Sequence, residues 1–150
     1  MGKGTYSTIM VFAESSDEGM KAARDAISLA VDVGATLIIA SVVDTTVLTH
    51  LVTSHIFVPE EMEEYEHELE TSCRRQLTYI AQLADKAKVK AQTVLLRGAC
   101  HAMVLREQKE RKADLLVMGA YRARMAKRDV MANEKQLIVD EIACPVLLVR

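Results

Sequence analysis

The fold is decided by one short stretch of the chain, Ala113-Asp114-Leu115-Leu116-Val117-Met118-Gly119. Its central residues, Leu115 to Met118, are all apolar, so both faces of a strand formed here would be buried. Strands of this kind are typical of a parallel sheet that has helices on both of its sides. The stretch therefore predicts a buried strand that is followed by a tight turn at Gly119.

Four further β-rich runs alternate with segments of helical spacing. Strand–helix–strand units with right-handed crossovers build an open, doubly wound parallel sheet of the α/β class. No linker, low-complexity tract or internal repeat divides the chain, so we predict one domain over residues 1–150. The predicted strands are Thr8 to Ala13, Thr36 to Val43, Lys90 to Leu96, Asp114 to Met118 and Pro145 to Arg150. The predicted helices are one that ends at Gly34, a long one from Glu60 to Lys88, one that follows Gly98, and one from Asp129 to Ile142 with a buried stripe of Val130, Leu137, Ile138 and Ile142.

Composition and charge exclude several classes of protein. The 150 residues carry a formal net charge of −2, so we expect neither nucleic acid nor an anionic membrane as a partner. The longest apolar runs, such as Val146 to Val149, are far shorter than the roughly 20 residues of a membrane span. Met1 to Ser7 has no apolar core, so we expect no signal peptide. Three cysteines cannot all pair within one chain, and we predict a reduced, cytoplasmic protein.

The loop after the fourth predicted strand is a candidate ligand site. Open α/β sheets bind their ligands outside the carboxyl ends of the strands. This loop carries four basic residues, which are Arg122, Arg124, Lys127 and Arg128. Two interpretations are open: an anion site built from side-chain charge, or a solvated and mobile loop.

Five motifs follow one another along nearly the whole chain. They are Ile9-Met10-Val11-Phe12-Ala13-Glu14-Ser15-Ser16, Gly34-Ala35-Thr36-Leu37 leading to Val42-Val43-Asp44, Arg97-Gly98, Ala113 to Gly119, and the ending Ala143-Cys144-Pro145-Val146-Leu147-Leu148-Val149-Arg150. In this order and at this spacing they resemble the universal stress protein family. The resemblance implies a Rossmann-like fold of the adenine nucleotide alpha hydrolase type, with five strands in the order 3-2-1-4-5 and helices on both faces. It also implies a homodimer formed through the last strand, Pro145 to Arg150.

The family's ATP-binding members carry a motif after the fourth strand: glycine, two residues, glycine, nine residues, then glycine and serine or threonine. The glycines let backbone N–H groups close on phosphate, and the hydroxyl adds a donor at a helix N-terminus. This chain keeps Gly119 but has Arg122, Ala132 and Asn133 at the other three positions. Asn133 still offers an amide donor and can cap the last helix. Glu14 stands where the family pattern has aspartate. We predict that tight ATP binding is lost.

The resemblance also places a candidate vestigial nucleotide pocket in this chain. We predict no catalytic residue and no metal ligand, because the sequence shows no paired acids, activated nucleophile or metal-ligand spacing. No cofactor is expected, and ATP or AMP would be the ligand if the pocket still works. The candidate pocket residues are Ala13, Glu14, Val43, Gly98, Met118, Gly119, Arg122, Ala132 and Asn133.

Three further features each have two interpretations. Cys100 and His101 suggest an activated thiol, but adjacent helical residues diverge by about 100°, so we predict that Cys100 is a packing residue. The apolar segment Thr45 to Pro59 is long for a connection between a strand and a helix. Two interpretations are open: it packs across the dimer, or it covers the candidate pocket. The acidic run Glu60 to Glu70 is either a solvated helix face or a docking surface for a partner.

Three functional hypotheses follow from these observations. The first is a non-enzymatic regulatory protein of the stress-response type, which acts as a homodimer through contacts with an unknown protein partner. The second is an adenine-nucleotide sensor, or a slow ATPase, that uses Arg122 and Asn133 in a variant phosphate loop. The third, an enzyme of the wider adenine-nucleotide superfamily, has the least support because no catalytic constellation is visible.

Overall fold

Five parallel strands form one sheet in the order β3-β2-β1-β4-β5, which confirms the predicted α/β fold and strand order. The structure is a computed structural model that describes residues 5–150. Residues 1–4, which belong to the segment expected to lack a signal peptide, lie outside the described residues. The strands are β1 (Thr8–Phe12), β2 (Thr36–Asp44), β3 (Ala91–Gly98), β4 (Leu115–Gly119) and β5 (Val146–Val149), each within two residues of its predicted ends.

Helices cover both faces of this sheet. Alternate residues of β1 point to opposite sides: Ile9 and Val11 belong to one buried cluster, whereas Met10 and Phe12 belong to the other. The first cluster packs on α1 and α3, and the second on α4 and α5. The helices are α1 (Asp17–Val33), α2 (Thr45–Thr53), α3 (Pro59–Lys86), α4 (Cys100–Arg111) and α5 (Val130–Glu141), with a short 3₁₀ turn at Ala123–Met125.

Helix α1 begins and ends at residues that the sequence marks out. The Ser16 hydroxyl accepts a hydrogen bond from the backbone N–H of Gly19 at 3.0 Å, as a helix N-cap does. Gly34 ends the helix with a φ of 69°, a left-handed conformation that glycine adopts without steric cost. Because α1 starts directly after β1, this cap fixes the entry of the helix beside the carboxyl end of the strand.

Helix α2 occupies most of the segment Thr45 to Pro59, for which no helix was predicted. Leu48 is 2% exposed and packs in a small cluster with Val43 and Cys73, so α2 is held against β2 and α3. In this position the helix does not cover the crevice described below. No helix within residues 5–150 is long and apolar enough to cross a membrane.

Helix α5 presents a different face from the one predicted. Val130, expected in the buried stripe, is 58% exposed, whereas Ile138 is fully buried as predicted. The helix begins after Asp129, whose carboxylate accepts a hydrogen bond from the N–H of Ala132 at 3.1 Å. Asp129, and not Asn133, is therefore the N-cap.

Candidate functional site

A crevice opens at the carboxyl ends of β1 and β4, where the strand order reverses. Strand β1 pairs with β2 on one side and with β4 on the other, so the loops that leave β1 and β4 diverge and leave a gap. The volume of the crevice is about 280 Å³, just below the usual range of about 300–1,000 Å³ for ligand pockets. Residues that line it include Glu14, Ser16, Arg122, Asp129, Ala132 and Lys135.

A buried lysine lies inside this crevice. The ammonium group of Lys135, on α5, forms an ion pair with the carboxylate of Glu14 and donates a hydrogen bond to the carbonyl of Gly119 at 3.0 Å. The Lys135 side chain is 4% exposed and that of Glu14 is 11% exposed. The chain therefore places its own cation at the end of β4, against the acid that follows β1.

Close packing explains the glycine that ends β4. A Cβ atom at Gly119 would lie 2.8 Å from the backbone carbonyl carbon of Glu18 and 2.9 Å from the Glu14 carboxylate. Both distances are shorter than side chains tolerate, so the approach of α1 to β4 requires glycine here. Gly119 is needed for packing whether or not a ligand binds.

The other three positions that the family resemblance assigned to a phosphate motif lie in different surroundings. Arg122 is exposed, starts the 3₁₀ turn and lines the crevice. Ala132 is buried, and its N–H donates to Asp129, so this amide already has an acceptor. Asn133 is exposed and does not line the crevice. The loop therefore brings together Arg122 and Ala132, but not Asn133.

Four other candidate pocket residues lie in the protein interior or at a turn. Ala13, Val43 and Met118 are at most 1% exposed and belong to the buried clusters. Gly98 has a φ of 138°, and a Cβ there would lie 3.2 Å from the side chain of Met103. None of these four lines the crevice, whereas Glu14, Arg122 and Ala132 do.

A second buried carboxylate, which was not predicted from the sequence, lies on α5 against the start of α4. Glu134, which is 8% exposed, accepts a hydrogen bond from the backbone N–H of His101 at 2.8 Å and lies 2.5 Å from Nδ1 of its ring. Asp44 accepts from the N–H of Cys100 at 3.1 Å. Two acids thus occupy the positive end of the α4 dipole, and Glu134 ties α5 to α4.

Cys100 lacks the properties of a nucleophile. Its side chain is 1% exposed, and burial raises the pKa of its thiol, with the Glu134 and Asp44 carboxylates acting in the same direction. Nδ1 of the His101 ring is bound to the Glu134 carboxylate and not to the Cys100 thiol. Because the thiolate is the reactive form, this environment suits a packing residue. Within residues 5–150 no group of three or more His, Cys, Asp or Glu side chains is placed to hold a metal ion.

Known proteins resemble this chain over nearly its whole length. The model of the universal stress protein family matches residues 5–150. The chain belongs to the universal stress protein family. Among curated relatives, Universal stress protein MJ0531 of Methanocaldococcus jannaschii is 26% identical over 99% of this chain and 85% of its own length.

Solved structures of universal stress proteins have the same fold. UspA from Lactobacillus plantarum aligns over 100% of both chains with a TM-score of 0.68 and 21% identity. The universal stress protein from Archaeoglobus fulgidus in complex with dAMP aligns over 97% of this chain and 98% of that one, with a TM-score of 0.64 and 14% identity. Buried Glu134 and Lys135 directly follow Asn133, the last position that the family resemblance assigned to a phosphate motif.

Proposed function

We propose that this universal stress protein is a non-enzymatic, cytoplasmic regulator that acts through protein contacts and does not bind ATP tightly. The observation that carries the proposal is the ammonium group of Lys135, which lies in the crevice between Glu14 and the carbonyl of Gly119. The switch point, where such folds bind their ligands, already holds a charge from the chain itself. Three free cysteines agree with a reducing compartment.

A nucleotide in the crevice would have to offset the free energy of the buried ion pair out of its own binding free energy. A nucleotide that occupied the crevice would have to separate Lys135 from Glu14, and breaking a buried ion pair costs about 3–5 kcal/mol. A ligand of micromolar affinity gains about 8.2 kcal/mol on binding. Displacement of Lys135 would therefore weaken the affinity by roughly 10²-fold to 10⁴-fold.

The alternative function is an adenine-nucleotide sensor, or a slow ATPase, with ATP or AMP as its ligand. Its support is the neighbouring structure that holds dAMP, together with the exposed guanidinium group of Arg122 at the rim of the crevice. In that case the arginine would replace the missing backbone amides as a phosphate ligand.

Isothermal titration of the protein with ATP, ADP and AMP distinguishes the two functions. We expect no binding in the micromolar range, because the ligand must first displace Lys135. Arg122→Gly and Arg122→Ala serve as paired variants. If Arg122→Gly binds a nucleotide more tightly than the unaltered protein does, the arginine side chain obstructs the crevice. Micromolar binding by the unaltered protein that is lost in Arg122→Ala would overturn the proposal and establish the sensor.

The regulator is proposed to be a homodimer that forms through Pro145 to Arg150. Strand β5 ends the sheet, and its Leu147 and Leu148 side chains are each 40% exposed. An apolar edge strand is prone to pair with another copy. We expect light scattering at micromolar concentration to show a dimer, and Leu148→Lys to shift it to a monomer.

The matched control for the dimer is Val31→Lys, because Val31 is an exposed apolar residue on α1, outside the last strand. This variant is expected to stay dimeric. A monomer in the unaltered protein, or dissociation in both variants, would contradict pairing through the last strand.

A further inference from the structure

Apolar side chains are exposed where the chain turns from α2 into α3. Ile56 is 59% exposed, Val58 is 51% exposed, and Tyr65 on α3 is 41% exposed. The ring of Phe57 contacts the ring of Tyr65, with their centroids 5.4 Å apart, so the turn and the helix form one surface. Single apolar residues scattered over a surface are ordinary, whereas a contiguous group marks a contact surface. Ile56, Phe57, Val58 and Tyr65 together form the apolar patch.

The first half of α3 contributes little to the protein interior. The buried residues of this helix all lie in its second half, and they are Cys73, Leu77, Ile80 and Ala84. In the first half, Met62 and Leu69 are only partly buried, against the small cluster that contains Leu48. Packing within the chain therefore does not account for the apolar patch.

The same half of α3 carries a strong negative charge. Residues 60–70 contain seven glutamates and neither lysine nor arginine. Glu66 and Glu70 form ion pairs with Arg97. The other five make no ion pair or side-chain hydrogen bond within residues 5–150, and they are Glu60, Glu61, Glu63, Glu64 and Glu68. Negative charge is thus left without a partner beside the apolar patch.

Two of these carboxylates flank the apolar patch directly. Glu61 and Glu68, both exposed, are four residues before and three residues after Tyr65, so they are its neighbours on the helix surface. A complementary surface must therefore bring apolar side chains together with positive charge. A second copy of this chain would place like charges opposite each other, and an anionic membrane would repel the carboxylates.

We propose that the apolar patch, with Glu61 and Glu68 at its border, docks a basic amphipathic helix of a partner protein. Such a helix places apolar side chains on one face and lysine or arginine beside them, which is the chemistry that this surface lacks. The inference names the partner of the regulator proposed above, and it rests on that function only in taking the partner to be a protein.

The proposed dimer leaves this surface open. Helices α2 and α3 pack on the half of the sheet that contains β2 and β3, whereas β5 is the strand at the opposite end. Pairing through β5 therefore does not cover the apolar patch, and each subunit of the dimer can dock one partner helix.

Fluorescence anisotropy with a labelled peptide of leucine and lysine at helical spacing tests the proposal. We expect micromolar binding that weakens as the salt concentration rises. Ile56→Ser and Tyr65→Ser are each expected to weaken the affinity by about 10-fold, because each removes an apolar anchor. The double variant Glu61→Gln, Glu68→Gln should weaken it at low salt and have a smaller effect at high salt.

Matched controls separate a docking surface from general attraction. Val31→Ser removes an exposed apolar residue from α1, and Glu141→Gln removes an exposed carboxylate from α5. Both variants should bind the peptide as the unaltered protein does, and a peptide with glutamate in place of lysine should not bind. Absence of binding by the leucine–lysine peptide, or equal losses in Val31→Ser and Tyr65→Ser, would overturn the docking surface.

Two other occupants are distinguished by the same variants. If Ile56→Ser dissociates the protein in light scattering, a second copy covers the patch. If the protein binds phosphatidylglycerol vesicles and Tyr65→Ser abolishes this binding, a membrane covers it. Either result would overturn the proposed partner helix. The nucleotide titration described above tests the regulator separately, since micromolar ATP binding would contradict that function and leave the peptide result unaffected.

Discussion

Replacement of Lys135 by methionine is expected to lower the free energy of unfolding by about 3–5 kcal/mol. The variant leaves the carboxylate of Glu14 buried without its cation and removes the donor to the carbonyl of Gly119. Methionine fills a similar volume, so the expected loss comes from the unpaired charge and not from a cavity. Urea denaturation followed by circular dichroism measures the change, and an unchanged slope would show that the denatured state is the same.

Two further variants separate the buried pair from a general effect of removing a lysine. Lys21 is exposed on α1, and Lys21→Met is expected to change stability by less than about 0.5 kcal/mol. The double variant Glu14→Gln, Lys135→Met should recover much of the loss, because an uncharged pair no longer leaves a buried ion alone. Equal losses in Lys21→Met and Lys135→Met would contradict the burial of Lys135.

The fold was predictable because the strands of a doubly wound sheet are apolar on both faces. Runs such as Leu115 to Met118 locate each strand to within two residues. The strand order had a different origin, since local patterns do not say which strands are neighbours and the family resemblance supplied that order. Helix α2 was missed because its threonines and valines have low helix propensity; packing of Leu48 holds it in place.

The buried charges of the site were not predictable from local sequence. Lysine normally faces solvent, so the predicted stripe of α5 began at Val130, although the stripe that packs includes Ala132, Lys135 and Ile138. Ala132, Lys135 and Ile138 are three positions apart, so Lys135 lies between two buried residues on one face of the helix. Its partner Glu14, however, is 121 positions away, and only the completed sheet brings the two together. A lysine in an otherwise apolar stripe is the one indication that the sequence offers.

Restoration of the family motif is expected to create an ATP site in this chain. The combined variant Arg122→Gly, Ala132→Gly, Asn133→Ser, Lys135→Ala lets the loop backbone approach phosphate more closely, supplies a hydroxyl group and removes the cation from the crevice. We expect an affinity for ATP at least about 100-fold higher than that of the unaltered protein, the factor assigned above to displacing Lys135. Thermal unfolding measures it, because ATP at 100 times its dissociation constant adds about 2.7 kcal/mol of stability.

The decisive control is the same variant with Lys135 left in place. Glycine at position 132 costs about 1 kcal/mol in a helix, but it does not move the ammonium group away from Glu14. The three-residue variant should therefore bind ATP as weakly as the unaltered protein. If the three-residue variant gains as much affinity as the four-residue one, the phosphate loop alone limits binding, and the buried lysine has only a structural role.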